Sequence, residues 1–245
     1  MHQEPAADMK PGHSIQATEP PDAEDRNAGV FTSWLRRMLH ALATGSDTRT
    51  PCGDCTGCCR SSQFIHIQPD EKTTLRALPK GLSFPAPGAP KGTRLLGYDD
   101  QGRCPLLADH GCTIYALRPR TCRVYDCRVF AACGLVPSAP ADNPVVRRVA
   151  AWRFTHPTAS DGIRHQAVRE AADFLERKAD LFPGGRPPSH PSQLAILALK
   201  VHEVFLESER SDERKVERIV EASRRFERLR EAFEGQGKIS RRPVR

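Results

Sequence analysis

With 245 residues the chain can bury one well-cored domain plus appendages, or two small domains. Only 38% of its residues are hydrophobic and 6% aromatic, which argues against one large core using every segment. The net charge of +7 comes without an aromatic-rich basic face, so specific nucleic-acid recognition is not expected.

The charge is uneven. Residues 1–30 carry two basic and six acidic groups, and 51–130 carry eleven basic and seven acidic. The acidic, proline-rich start lacks the apolar core of a secretory signal, and residues 1–29 read as a disordered tail. "VFTSWLRRMLHALA" follows, with Phe31, Trp34, Leu35, Met38 and Leu42 on one stripe. It predicts an amphipathic helix over 30–44 that docks on the body or, less in keeping with its length, meets a membrane surface beside Arg36 and Arg37. Residues 45–51 read as a linker. A cysteine-rich domain spans 52–135, with a short strand at 64–67, a helix at 69–78 and a Pro/Gly loop at 81–92. Two extended pieces then flank a "DDQG" turn, and another turn closes on Cys112.

Beyond it, 145–235 reads as a strand plus a helical region. "VVRRVAAWRF" (145–154) alternates as a strand would, and three helices follow at about 162–182, 191–207 and from Ser211 onward. The last aligns Val216, Ile219, Val220, Phe226, Leu229 and Phe233. These helices pack on one another or on the cysteine domain, or serve a protein partner or self-association. Residues 236–245 read as a basic tail. The expected class is α+β: a loop-rich, metal-stabilised cysteine domain with short strands, followed by three helices. The longest apolar helical run, "LAILAL" (194–199), cannot span a bilayer, so no transmembrane segment and a cytoplasmic location are expected.

In a reducing compartment, dense cysteine points to metal or redox chemistry before disulfides. Eight of the nine cysteines follow C-x2-C-x2-C-C and then, after 44 residues, C-x7-C-x9-C-x4-C. Each C-x2-C step lets two sulfurs converge while backbone amides turn inward, as in zinc knuckles and iron–sulfur loops. Gly53 and Gly57 suit such a loop through access to positive φ. Basic residues nearby would offset thiolate charge. His66 and His110 are candidate nitrogen ligands, although a strand histidine more often simply packs.

"CGDCTGCC", then "CPLL", then "GCTIYALRPRTCRVYDC" together resemble the YkgJ-type cysteine-cluster family, whose CxxCxxCC domain is held to chelate zinc or iron. The resemblance covers roughly 52–130. It implies metal ligands drawn from Cys52, Cys55, Cys58, Cys59, Cys104, Cys112, Cys122 and Cys127, with Cys133 a spare thiol. Tyr115, Arg118 and Pro119 match the motif as supports, and Arg118, Arg120 and Arg123 can donate to sulfur or backbone carbonyls. A related cysteine pattern occurs in flagellin lysine N-methylases, where it is thought to hold an iron–sulfur cluster; this chain is much shorter.

Eight thiolates could hold Zn2+ at two closed sites. Three ligands on one loop with a fourth from afar is instead a habit of cubane clusters, and this favours iron–sulfur over zinc. Two functions remain open: a binding or structural module organised by metal, and an iron–sulfur enzyme or redox protein with a pocket near Tyr115, Tyr125 or the arginines. The chain shows no nucleophile–base pair, phosphate loop or paired catalytic carboxylates, which leaves catalytic residues unassigned and favours the module.

Overall fold

The structure, a computed structural model, describes residues 25–182, 187–207 and 211–239, with 233–239 described by their backbone alone. The tail expected before residue 25, part of the Pro/Gly stretch (183–186), the Phe233 side chain and the basic end beyond 239 lie outside the described residues.

The fold is α+β, with short strands and a C-terminal helical region. Strand β1 (Arg26–Val30) leads directly into helix α1 (Phe31–Thr44), so the last residues assigned to the tail are ordered. Phe31, Trp34, Leu35, Met38 and Ala41 are buried at spacings of three and four. The stripe packs on helices α6 (Ala159–Arg177), α7 (Pro191–Val201) and α8 (Asp212–Ile239). It is occupied by the protein's own body and is not offered to a membrane. Among the described residues no helix is long and apolar enough to cross one.

The start of α6 is fixed by one carboxylate. Asp161 accepts from the Thr158 backbone N–H at 3.0 Å and hydroxyl at 2.6 Å, closing a capping box. Its other oxygen accepts from the Thr32 N–H at 3.1 Å in the first turn of α1. These bonds, from Thr158 first and then Thr32, hold the carboxyl well below the usual carboxylate range.

The expected strand at 145–154 is largely a helix, α5 (Pro144–Ala151), and only Trp152–Thr155 form strand β7. Asn143 and Pro144 decide this. The Asn143 side chain accepts from Val145 N–H at 2.9 Å, and proline occupies the first helical position. Val145 and Val149, read as alternating, are one helical turn apart on a buried face. Strand β7 pairs in parallel with β1, from Arg26 opposite Trp152 to Val30 opposite Thr155.

The apolar interior is split. The larger cluster joins α1, α5, β7 and the C-terminal helices around Phe31, Trp34, Val168, Leu175, Leu199 and Ile219. The cysteine-rich segment has a small cluster of its own around Ile67, Leu96 and Leu106, with Cys104 and Cys112 at its edge, while Val129, Phe130 and Ala132 at its far end join the larger cluster. Its sheet orders β2 (Ile65–Ile67), β4 (Arg94–Leu96) and β3 (Ser83–Pro85), all antiparallel. Strand β3 lies within the stretch read as pure loop, and its Pro85 is tolerated at a sheet edge. Helix α2 (Lys72–Ala77) starts later than expected, after Glu71. The extended pieces flanking the Asp99–Gly102 turn do not pair with each other: β4 joins the sheet, while β5 (Leu107–Ala108) forms a hairpin with β6 (Gly111–Cys112). Helix α8 continues through Ile239, into the stretch read as a tail from 236.

Candidate metal centre

The quartet sits on a loop of tight backbone turns. Cys55 N–H donates to Cys52 O at 3.0 Å, Gly57 N–H to Cys55 Sγ at 3.4 Å, and Cys59 N–H to Thr56 O at 2.9 Å. A single 3-10 turn, Gly57–Arg60, closes it. Gly53 takes the left-handed conformation expected of it, at φ 57°. Gly57 serves a different need: a β-carbon there would meet Val145 N at 3.1 Å and Pro144 C at 3.2 Å. The cysteine loop therefore lies directly against the backbone at the start of α5. Replacing Gly57 by alanine is expected to destabilise the protein by about 1–3 kcal/mol, because neither backbone can yield easily, and a denaturant midpoint measures it.

Other contacts bring distant cysteines to the loop. Cys104 N–H donates to Cys59 O at 2.8 Å, and Thr113 N–H to Leu106 O at 2.9 Å ties the hairpin carrying Cys112. Cys122 lies on the short helix α3 (Arg120–Val124), entered through the buried Pro119. The presumed linker is pinned to the end of that helix: Thr48 N–H and hydroxyl each donate to Arg123 O at 3.1 Å. Glu71 accepts from Arg120 N–H at 2.5 Å and Gln68 N–H at 2.8 Å, joining the sheet to α3. Cys127 is buried where helix α4 (Arg128–Cys133) begins, and α4 belongs to the larger core.

All nine cysteines are free thiols. Burial pushes Cys52 up to about 11, helped by Cys58 and Cys55, with Arg148 opposing. Cys122 rises to about 12 through burial, then through Cys58, Cys104 and Cys112, while Arg118 pulls it down. Cys127 rises to about 12 through burial, against the Trp152 N–H, with Cys52 and Cys55 adding to it. Cys58, exposed as a residue, has its thiol raised first by its hydrogen bond with Cys59 and then by burial of the sulfur. Burial also raises Cys104. Burial without a cation disfavours the thiolate form of these groups, and a bound cation is what would offset that.

The eight expected ligands thus share one electrostatic neighbourhood, with Cys58 felt by both Cys52 and Cys122. Among the described residues, however, no three His, Cys, Asp or Glu side chains stand ready to hold an ion. The donor set fits a thiophilic metal, while the sulfurs do not converge on a closed site. Cys133 stands apart, buried 3.7 Å from Ala195 O. His66 and His110 are exposed. Tyr115 is exposed, with the Arg118 guanidinium 4.3 Å from its ring centre. Arg120 pairs with the Asp70 side chain at 2.7 Å, and Arg123 braces the backbone by donating to Arg118 O at 3.1 Å.

Four neighbours escaped the sequence reading: Asp126, Arg128, Arg148 and Trp152. The buried Arg128 guanidinium donates to both carboxylate oxygens of Asp126, with its shortest contact at 2.6 Å. Trp34 Nε1–H donates to the same carboxylate at 3.0 Å. Trp152 Nε1–H donates to Cys127 Sγ at 3.2 Å, and Arg148 donates to Cys52 O at 3.2 Å. Trp152 alone carried a hint, as one of only two tryptophans, but nothing in its spacing ties it to Cys127.

Residues 51–135 match a family model, CxxCxxCC, described as "Putative zinc- or iron-chelating domain". No curated protein and no solved structure matches the chain.

Proposed function

We propose that the CxxCxxCC segment of this chain is a cysteine-ligated metal-binding module, and that the metal organises it against the helical body. The observation that carries this reading is a chain segment with eight neighbouring free thiols whose own apolar cluster has three buried members, Ile67, Leu96 and Leu106, while its far end at Val129, Phe130 and Ala132 packs into the core of the helical body. Bound metal supplies folding free energy where apolar burial is short.

On binding metal, Cys52, Cys55 and Cys58 with Cys127 would form the first ligand group, and Cys59, Cys104, Cys112 and Cys122 the second. The mutual influence of the sulfurs supports the outer members of each group, since Cys127 responds to Cys52 and Cys55 and Cys122 to Cys104 and Cys112, while Cys58 is felt on both sides and is placed by its position on the loop alone. The first group has three ligands on one loop and a fourth from a distant helix, which favours an iron–sulfur cluster over zinc there. When bound, such a cluster supplies electron-transfer or Lewis-acid chemistry. The chain's own residues bury Cys127, and the Trp152 side-chain N–H donates a hydrogen bond to its sulfur. The groove of about 530 Å³ between α7 and α8, lined by Ile196, Leu197, Lys200 and Glu227 among others, includes none of the cysteines, and it lends no support to an enzyme working beside them.

Protein purified without oxygen is expected to be brown, with a broad visible absorption and iron and sulfide in stoichiometric amounts. A colourless protein with bound zinc would overturn the cluster while keeping the metal. A protein with neither iron nor zinc would overturn the whole reading. Cys127→Ser is expected to abolish the chromophore, and Cys133→Ser to leave it intact.

A further inference from the structure

Two side chains beyond the matched segment reach back to the cysteines, and they do so from one short unit, α5–β7. Trp152 is buried and gives its only side-chain N–H to Cys127 Sγ. Arg148, one turn earlier, is 9% exposed. Its Nη2 donates to the backbone O of Cys52, and its nearest carboxylate, Asp54 at 3.6 Å, is 90% exposed and mostly in water. Its Nη1 is buried with no hydrogen-bond partner among the described residues. The guanidinium also lies 5.8 Å from the Trp152 ring centre, so the two groups form one assembly.

A buried guanidinium N–H without an acceptor costs free energy that a folded chain ordinarily avoids. The groups around it explain what is missing. On one side are Cys52 and its loop; on the other is an indole already committed to a sulfur. Thiols are poor acceptors and thiolates are good ones, with hydrogen bonds to an anion about twice as strong as neutral ones. The guanidinium carrying the unpaired donor and the Trp152–sulfur bond both lie on the Cys52 and Cys127 side of the site, where bound metal would be held.

We infer that Arg148 and Trp152 are positioning residues of the metal centre: they fix and stabilise the sulfurs of Cys52 and Cys127 by hydrogen bonding and positive charge. The inference rests on the metal-binding reading above. It also means that the site draws on residues outside 51–135, so α5–β7 and the cysteine loop work as one unit. Removal of such outer donors from metal sites typically weakens binding 10–100-fold.

The test uses the full chain, stripped of metal under reducing, oxygen-free conditions and titrated with Co2+ alone. Sulfur-to-cobalt charge-transfer absorption reports directly on electron density at the sulfurs. Trp152→Phe keeps the ring and deletes the N–H; Arg148→Met keeps the stem and deletes the charge; Arg148→Lys restores the charge. Arg147→Met, at an exposed neighbour, is the control. Trp152→Phe and Arg148→Met are each expected to move the charge-transfer band to lower energy and weaken Co2+ binding about 10–100-fold. Arg148→Lys should recover part of both changes, and Arg147→Met should change neither. A merely structural role would lower the melting temperature without moving the band. Wild-type-like bands and affinities, within twofold, in both Trp152→Phe and Arg148→Met overturn the inference while leaving metal binding intact. If one variant fails to fold, the other decides by the same criterion. Failure of the wild-type chain to bind Co2+, Zn2+ or iron overturns the metal reading itself, and the inference with it.

Discussion

Removing metal from the reduced protein is expected to melt residues 52–125 while the helical body stays folded. The asymmetry follows from how apolar surface is divided. Helices α1, α6, α7 and α8 share a continuous cluster that includes Phe31, Trp34, Val168, Leu175, Leu199 and Ile219. The sheet β2–β4–β3 and the β5–β6 hairpin close over a small cluster with three buried members, Ile67, Leu96 and Leu106, ringed by half-buried residues such as Ile65 and Leu75. With so little buried, the ordering entropy of this loop-rich stretch has few apolar contacts to offset it. Hydrogen exchange would read the difference: without metal, amides of β4, β6 and α3 should exchange within the dead time, while those of α1, α6 and α7 keep most of their protection. Equal protection with and without metal would show that the cysteine segment holds its own shape.

The second large effect lies at the seam between the two regions. Asp126→Ala is expected to cost about 3–5 kcal/mol, because it leaves the Arg128 guanidinium buried without its counter-charge. Arg128 is 3% exposed and Asp126 2%, so water cannot take over the lost interactions. The same change strands the Trp34 N–H, and it leaves Arg128 with the Ala28 carbonyl at 3.0 Å as its remaining acceptor. Removing Asp25, whose 3.1 Å contact with Arg153 is solvent-exposed, should by comparison change stability little. Urea titrations followed by helical circular dichroism compare the two. A loss under about 1 kcal/mol for Asp126→Ala would show that the guanidinium finds a new partner.

The sequence made the cysteine spacing and the C-terminal helices plain because both are local patterns. A C-x2-C step is visible within four residues, and the stripe Val168–Ala171–Leu175 within eight. Local pattern failed where two periods fit the same letters. In "VVRRVAAWRF" the apolar positions suit a strand, and the deciding information was the Asn143–Pro144 helix start just upstream. Long-range pairings were illegible for another reason. Nothing near Arg26–Val30 announces a parallel partner at Trp152–Thr155, and nothing near Trp152 announces a sulfur at position 127. The candidate site was therefore readable as a set of candidate ligands and unreadable as a surrounding. Gly57 shows the same gap: its spacing suggested an unusual backbone angle, while its actual role is to let α5 come close.

The double duty of Asp161 carries a consequence for how the molecule opens. Because the same carboxylate secures Thr158 and Thr32, the leading turns of two helices far apart in sequence share one latch. Neither end can fray by itself without loosening the other, so the two should breathe as a single cooperative unit. Acid that protonates this carboxylate releases both together, and the support it lends is present above the ordinary carboxylate range and fades as pH falls below it.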